Sequence, residues 1–123
     1  MEKRSRTGIT RLVDATRFSW YGFRAAWRHE AAFRQELVAI VIFLPAAFWL
    51  GTTAMQRALL IFAALQILIV EFLNSAVEAV VDRIGLEDHP LSGRAKDLGS
   101  AAVLTSLTAG IAVWLLVAWE RFN

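Results

Sequence analysis

Three long stretches without charge limit what this chain can fold into more than anything else in its sequence. Residues 37–50 and 98–119 contain no charged side chain, and 58–70 is interrupted only by Gln66. A helix needs about 20 predominantly apolar residues to cross the hydrocarbon core of a bilayer. The last run meets that length by itself. The first reaches it when 31–36 are added, which places Arg34, Gln35 and Glu36 near the headgroups. The middle run reaches it by continuing through a polar face to Ile84, with Gly85 as the stop. A soluble core would have to hide five tryptophans and eight phenylalanines in 123 residues that are 57% apolar. A chain this short buries too little of its surface for that.

The pattern predicts an all-α membrane protein with one domain, residues 1–123, and membrane helices over about 30–50, 54–84 and 91–121. Pro45 lies inside the first span and is expected to kink it, which membrane helices tolerate. Gly51-Thr52-Thr53 reads as a short turn, and 86–93 as a polar loop in which Ser92 is a candidate cap for the last helix. Ala102, Ser106 and Gly110, at i, i+4 and i+8, are small residues that let helices approach closely in lipid.

Ahead of the spans, Ile9, Leu12, Val13, Thr16, Trp20, Phe23 and Trp27 recur on one helical face over about 9–28. Arg11, Arg17 and Arg24 lie elsewhere on its circumference. A basic helix with an aromatic apolar side is built to lie in a bilayer interface. Residues 1–8 are polar and are expected to fray. Seven of the thirteen Lys and Arg residues fall in 1–28 and three more in 83–97, against Arg57 alone in the first turn and Arg121 at the end. This bias sets the N-terminus in the cytoplasm and the C-terminus on the far side. The basic start is not a signal peptide, since no apolar run of useful length follows before Leu37. A net charge of +2 argues against nucleic acid as a partner, and the lack of cysteine excludes disulfides and thiolate chemistry.

Glu71, Asn74, Ser75, Glu78 and Asp82 follow at i, i+3, i+4, i+7 and i+11, so five polar groups share one face of an otherwise apolar helix. A charge at the centre of a membrane helix costs about 2.5–3.5 kcal/mol on insertion scales. Such a face serves to hold a divalent cation, to accept a proton or to conduct ions; merely structural pairing with Arg34 or Arg83 is the bland alternative. Two further clusters flank it. Arg28-His29-Glu30 stands where the surface helix meets the first span, and Glu30 and Arg34 are spaced for an ordinary helix ion pair. Arg94, Lys96 and Asp97 open the last helix, where the cations suit phosphates or the orientation bias equally. His29 and His89 lack metal-spaced partners, against zinc. Carboxylates for a cation and a proton, with cations for phosphates, are together what phosphoryl transfer requires.

The stretch Glu71-Phe-Leu-Asn-Ser-Ala-Val-Glu-Ala-Val-Val-Asp-Arg-Ile-Gly85, then His89, then Leu91-Ser-Gly-Arg-Ala-Lys-Asp-Leu-Gly-Ser-Ala-Ala-Val-Leu104 closely resembles the bacterial integral-membrane diacylglycerol kinases, as does 24–36. The likeness runs in order over nearly the whole chain. It implies a homotrimer in the bacterial inner membrane, with sites built from neighbouring subunits. It also implies Mg²⁺ and ATP, with diacylglycerol as acceptor and phosphatidic acid as product. By that likeness Glu71 is the general base with Asn74 in support, and Glu30 and Glu78 hold the metal. Arg11, Phe18, Glu30, Glu78, Glu87, Asp88, His89, Lys96 and Asp97 would contact ATP. The lipid site would take Arg11, Ser19, Trp20, Arg24 and Trp27 from the surface helix and Phe33, Arg34, Gln35 and Glu36 from the first span. Arg57, Glu71, Ser100, Trp114 and Val117 complete it. Phe18 stands where the family often has tyrosine, and the loop 87–90 departs from the family's form. An undecaprenol kinase of the same fold is the runner-up. A small ion channel or structural subunit would need the acidic face but not Lys96 and Asp97 opposite it.

Overall fold

A computed structural model describes residues 7–123, which form four helices: α1 Gly8–His29, α2 Ala31–Leu50, α3 Ala54–Ile84 and α4 Pro90–Phe122. Lys3, Arg4 and Arg6, and with them most of the segment expected to fray, lie outside the described residues. The three later helices have 20, 31 and 33 residues and are long and apolar enough to cross a membrane. At about 1.5 Å per residue, α2 just spans a bilayer core, while α3 and α4 overshoot it by several turns. The polar face of α3 falls in its overshooting half.

Each connection has a local cause. Glu30 alone separates α1 from α2, in extended conformation at φ −119° and ψ 105°. Its N–H still donates to the Ala26 carbonyl at 2.9 Å, and its own carbonyl accepts from the Arg34 N–H at 3.3 Å. The last carbonyls of α1 would otherwise be open; the Arg34 guanidinium donates to those of Trp27 at 2.7 Å and Arg28 at 3.5 Å. Arg34 therefore serves the end of α1 and makes no ion pair with Glu30. At the next turn Thr53 caps α3, its hydroxyl accepting from the Gln56 N–H at 3.1 Å. The Gln56 carboxamide oxygen in return accepts from the Thr52 N–H and hydroxyl, both at 2.8 Å. Its nitrogen donates to Glu120 at 2.9 Å and ties the turn to the end of α4.

The third connection is shorter than expected. The helix α4 begins at Pro90, and the cap is His89, whose Nδ1 accepts from the Leu91 N–H at 3.1 Å. Ser92 lies inside the first turn and does not cap. Proline lacks the N–H that a first helical residue leaves unpaired anyway and already has a helical φ, so Pro90 starts the helix where a polar loop was expected. Pro45 leaves α2 a single continuous helix.

The centre of the fold is the pairing of α3 with α4, with α2 laid against α3. Ser106 and Gly110 are buried in this seam. A side chain at 110 would meet Ile67 Cδ1 at 2.9 Å and the Ala63 carbonyl oxygen at 3.2 Å. Gln66, the one interruption in its apolar run, donates to the Ser106 carbonyl at 2.7 Å and the Ala63 carbonyl at 3.1 Å. Ala102 does not join the seam and is exposed; Gly99, one turn earlier on the same face, takes its place. Two apolar clusters fill the ends: Ala26, Phe33, Ile40, Ala64 and Leu68 near α1, and Ala47, Leu50, Leu60 and Val117 at the other. The remaining apolar surface is open. Leu115 and Leu116 are 66% and 69% exposed, an area that only lipid or another subunit covers.

Candidate active site

The helix directions bring the α1–α2 junction, the second half of α3 and the start of α4 to one end of the bundle. Glu71 is buried there, 7% exposed, in a helix whose neighbouring buried residues are apolar. Phe72 beside it packs at 5.0 Å between ring centres on both Phe23 of α1 and Phe33 of α2. This aromatic trio fixes the junction against α3. The acidic groups that act electrostatically on Glu71 are Glu30, carried in by the junction, and Glu78, two turns along α3. Glu71 in turn acts on Glu36. Glu30, Glu36 and Glu78 thus all lie within electrostatic reach of one buried carboxylate.

Asn74 lies between Glu71 and Glu78 and donates from Nδ2 to Glu78 Oε1 at 3.4 Å. Its Oδ1 is buried without a hydrogen-bond partner, and so is one carboxylate oxygen of Glu36. Buried polar atoms are normally paired, and unpaired ones gather where a ligand is to be bound. Among the described residues no three His, Asp or Glu side chains are arranged to cage a metal ion. The two carboxylates Glu30 and Glu78, hard oxygen donors, fit instead a divalent cation that completes its coordination with water and phosphate. Neither Arg34 nor Arg83 pairs with this face; among the described residues the ion pairs are Arg17–Asp14 at 3.1 Å and Lys96–Asp82 at 2.8 Å.

Three hollows are present, and Glu36 lines one of them. A polar groove of about 430 Å³ lies between the end of α3 and the start of α4, lined by Asp82, Glu87, Asp88, His89 and Lys96 among others. It gathers four of the nine residues expected to contact nucleotide; Arg11, Phe18, Glu30, Glu78 and Asp97 do not line it. A second, of about 320 Å³, is walled by Trp20, Phe23, Trp27 and Phe33 and edged by Arg24 and Arg28. Four residues expected at the lipid site meet in it. The third, an apolar cleft of about 340 Å³ between α2, α3 and α4, runs from Glu36 past Ile40 and Gly110 to Trp114.

Other expected lipid-site residues are placed elsewhere. Arg57 donates from Nε to the Phe48 carbonyl at 3.3 Å, and Val117 is buried in the far apolar cluster. Arg57 is fourteen residues before Glu71 on α3, about 21 Å away. The Ser19 hydroxyl donates to the Ala15 carbonyl at 2.7 Å, and Ser100 and Gln35 are exposed. Sequence reasoning missed the Asp82 partner of Lys96, because the pairing joins helices whose registers no periodicity relates. It also missed Gly99, one small residue among several.

A family model described as prokaryotic diacylglycerol kinase matches residues 17–118. The chain is 53% identical over 117 residues to "Diacylglycerol kinase" of Escherichia coli strain K12, covering 95% of this chain and 96% of that one. It is 49% identical over 114 residues to the protein of the same name from Pseudomonas aeruginosa, covering 93% of each. The Helicobacter pylori strain 26695 protein, also so named, is 36% identical over 115 residues, covering 94% and 86%. A buried carboxylate on a three-span scaffold, matched over nearly its whole length by such relatives, leads to one conclusion: the chain belongs to the prokaryotic diacylglycerol kinase family.

Proposed function

We propose that this protein transfers the γ-phosphate of Mg-ATP to the free hydroxyl of diacylglycerol, giving phosphatidic acid at the cytoplasmic face of a bacterial inner membrane. The observation that carries the reading is Glu71, buried on α3 within the electrostatic reach of Glu30 and Glu78, at the end of the bundle that also holds a polar and an aromatic groove. The relatives' name supplies the acceptor.

In this reading the lipid enters through the aromatic groove with its acyl chains against Trp20, Trp27 and Phe33, and its glycerol end is directed toward Glu71. The Glu71 carboxylate takes the hydroxyl proton while the oxygen forms its bond to the γ-phosphorus. The bond from that phosphorus to the bridging oxygen breaks, and ADP leaves. Asn74 steadies Glu78, and Glu30 and Glu78 would hold Mg²⁺, which when bound supplies neutralisation of phosphate charge. The polar groove with Glu87, Asp88, His89 and Lys96 takes the nucleotide, with Asp97 at its edge and Arg11 and Phe18 brought from α1. Lys96 carries three N–H donors, so the bond to Asp82 leaves two for phosphate. Val117 and Arg57 stand too far from Glu71 to meet the reacting hydroxyl. The active assembly is a homotrimer, in which neighbouring subunits cover the open faces of α2 to α4.

The test is phosphate transfer from labelled Mg-ATP by the purified protein in mixed micelles that contain diacylglycerol or undecaprenol. Label entering diacylglycerol preferentially is expected. Label in undecaprenol alone would move the acceptor to a polyprenol, and no lipid labelling by folded protein would overturn the kinase assignment for this chain.

A further inference from the structure

We propose that Gly99 is a positioning residue for the Glu78 carboxylate, acting through the Asn74 carboxamide. The inference rests on the reading of Glu78 as a metal ligand.

Asn74 and Gly99 face each other across the α3–α4 seam. The Asn74 Oδ1 atom occupies the space where a Cβ at position 99 would stand, so closely that the two cannot coexist. That oxygen is buried and unpaired. The Nδ2 atom at the other end of the carboxamide donates to Glu78 Oε1. A carboxylate only accepts hydrogen bonds, so the amide nitrogen must face Glu78 and the oxygen must point away from it, into α4. The missing side chain at 99 is what gives the oxygen somewhere to go.

A methyl group at 99 has two ways to be accommodated. The first is for α4 to move off α3. Seven and eleven residues further along the same face, Ser106 and Gly110 hold the helices together. Ser106 accepts from Gln66 through its carbonyl, and Gly110 stands against Ile67 and the Ala63 carbonyl. Separation of the helices would break those contacts. The second is rotation of the Asn74 carboxamide, which meets no such resistance and withdraws the N–H from Glu78. The second is the cheaper, so the effect of the methyl falls on Glu78. Groups that orient a metal ligand matter about 10–100-fold in metal affinity.

The experiment uses the full chain in lipid nanodiscs. Mn²⁺ binding in the presence of ATP is read from the resonance signal of free Mn²⁺, alongside the Mg²⁺ dependence of phosphoryl transfer. Gly99→Ala is expected to weaken Mn²⁺ binding about tenfold, as Asn74→Ala does, and to add nothing in an Asn74→Ala background. Full affinity in Gly99→Ala, or an additive loss in the double variant, would overturn the proposal. Should Gly99→Ala fail to assemble, the double variant decides. Recovery of assembled protein supports a clash with Asn74, and equal failure shows that the methyl strikes something else. Glu78→Gln separates the two readings. If it binds Mn²⁺ like the unaltered protein, the metal assignment and this inference fall together. If it is weakened while Gly99→Ala is not, only the inference falls.

Discussion

Glu71 and Glu36 are both carboxylates inside an apolar bundle, yet they ask for different tests. Replacing Glu71 by Gln keeps the shape of the side chain and removes its capacity to take a proton. Turnover is expected to fall at least about 100-fold, with the KM for ATP changed little, in steady-state assays at saturating lipid. Near-normal turnover would remove Glu71 from the role of base. Glu36 has one buried oxygen without a partner, and such an atom destabilises the fold by about 1–3 kcal/mol. Glu36→Leu is therefore expected to raise the unfolding midpoint and to lower activity, a combination that a purely structural residue would not give. The exposed Lys96–Asp82 pair is the contrasting case. Asp82→Asn should leave the melting curve nearly unshifted, since solvent screens an exposed pair. All three acidic residues were visible in the sequence as polar positions in or beside apolar runs. Their surroundings were not, because burial and pairing depend on which helix lies opposite.

At the scale of helices, the α3–α4 seam carries the arrangement. Gly110 has no room for a side chain, and overpacking of that kind costs about 1–3 kcal/mol. Gly110→Leu should lower the unfolding midpoint and, by spreading the helices, reduce activity at a site several turns away. Retained stability would show that the helices can part freely. Gln66→Leu removes the hydrogen bond to the Ser106 carbonyl, and interhelical bonds of this type contribute about 0.6 kcal/mol, so its effect on the same measurement should be smaller. The small-residue spacing at 102, 106 and 110 pointed to a close approach, and two of its three positions take part. The register that brings in Gly99 rather than Ala102 is set by how α4 rotates against α3, and one helix does not contain that information. The helix ends divide in the same way. Gly51-Thr52-Thr53 was legible as a short turn, and the structure shows in addition that Thr53 caps α3. His89 displaced Ser92 because the rigid ring of Pro90 starts the helix earlier.

The whole molecule presents two chemically distinct ends joined by an apolar middle. The polar groove, the aromatic groove and the carboxylates share the end at which α1 joins, while the Thr52–Gln56–Glu120 network closes the other. In the proposed orientation, which rests on the charge bias, the first of these faces the cytoplasm. Because the chain has no cysteine, single-cysteine variants report topology cleanly. Cysteine at Leu86 should be shielded from an impermeant maleimide in intact cells, and cysteine at Thr52 should be labelled; the reverse pattern would invert the orientation. In the proposed trimer the large exposed apolar area is shared between lipid and neighbouring subunits, and cross-linking in membranes is expected to stop at the trimer.

By itself the sequence determined the membrane class, the number of spans, the likeness to a kinase family and the face that holds Glu71, Asn74 and Glu78. Those properties follow from the length of apolar runs and from a helical period of about 3.6 residues, both readable along a single segment. Only the tertiary structure decided that Glu30 joins Glu71, that Glu36 and Asn74 keep unpaired oxygens, that Lys96 meets Asp82 and that Gly99 makes space for Asn74. Each of these joins residues on different helices or depends on what a neighbouring helix covers. The rotation and depth at which helices pack are set by the sum of many side-chain contacts, which no local pattern encodes.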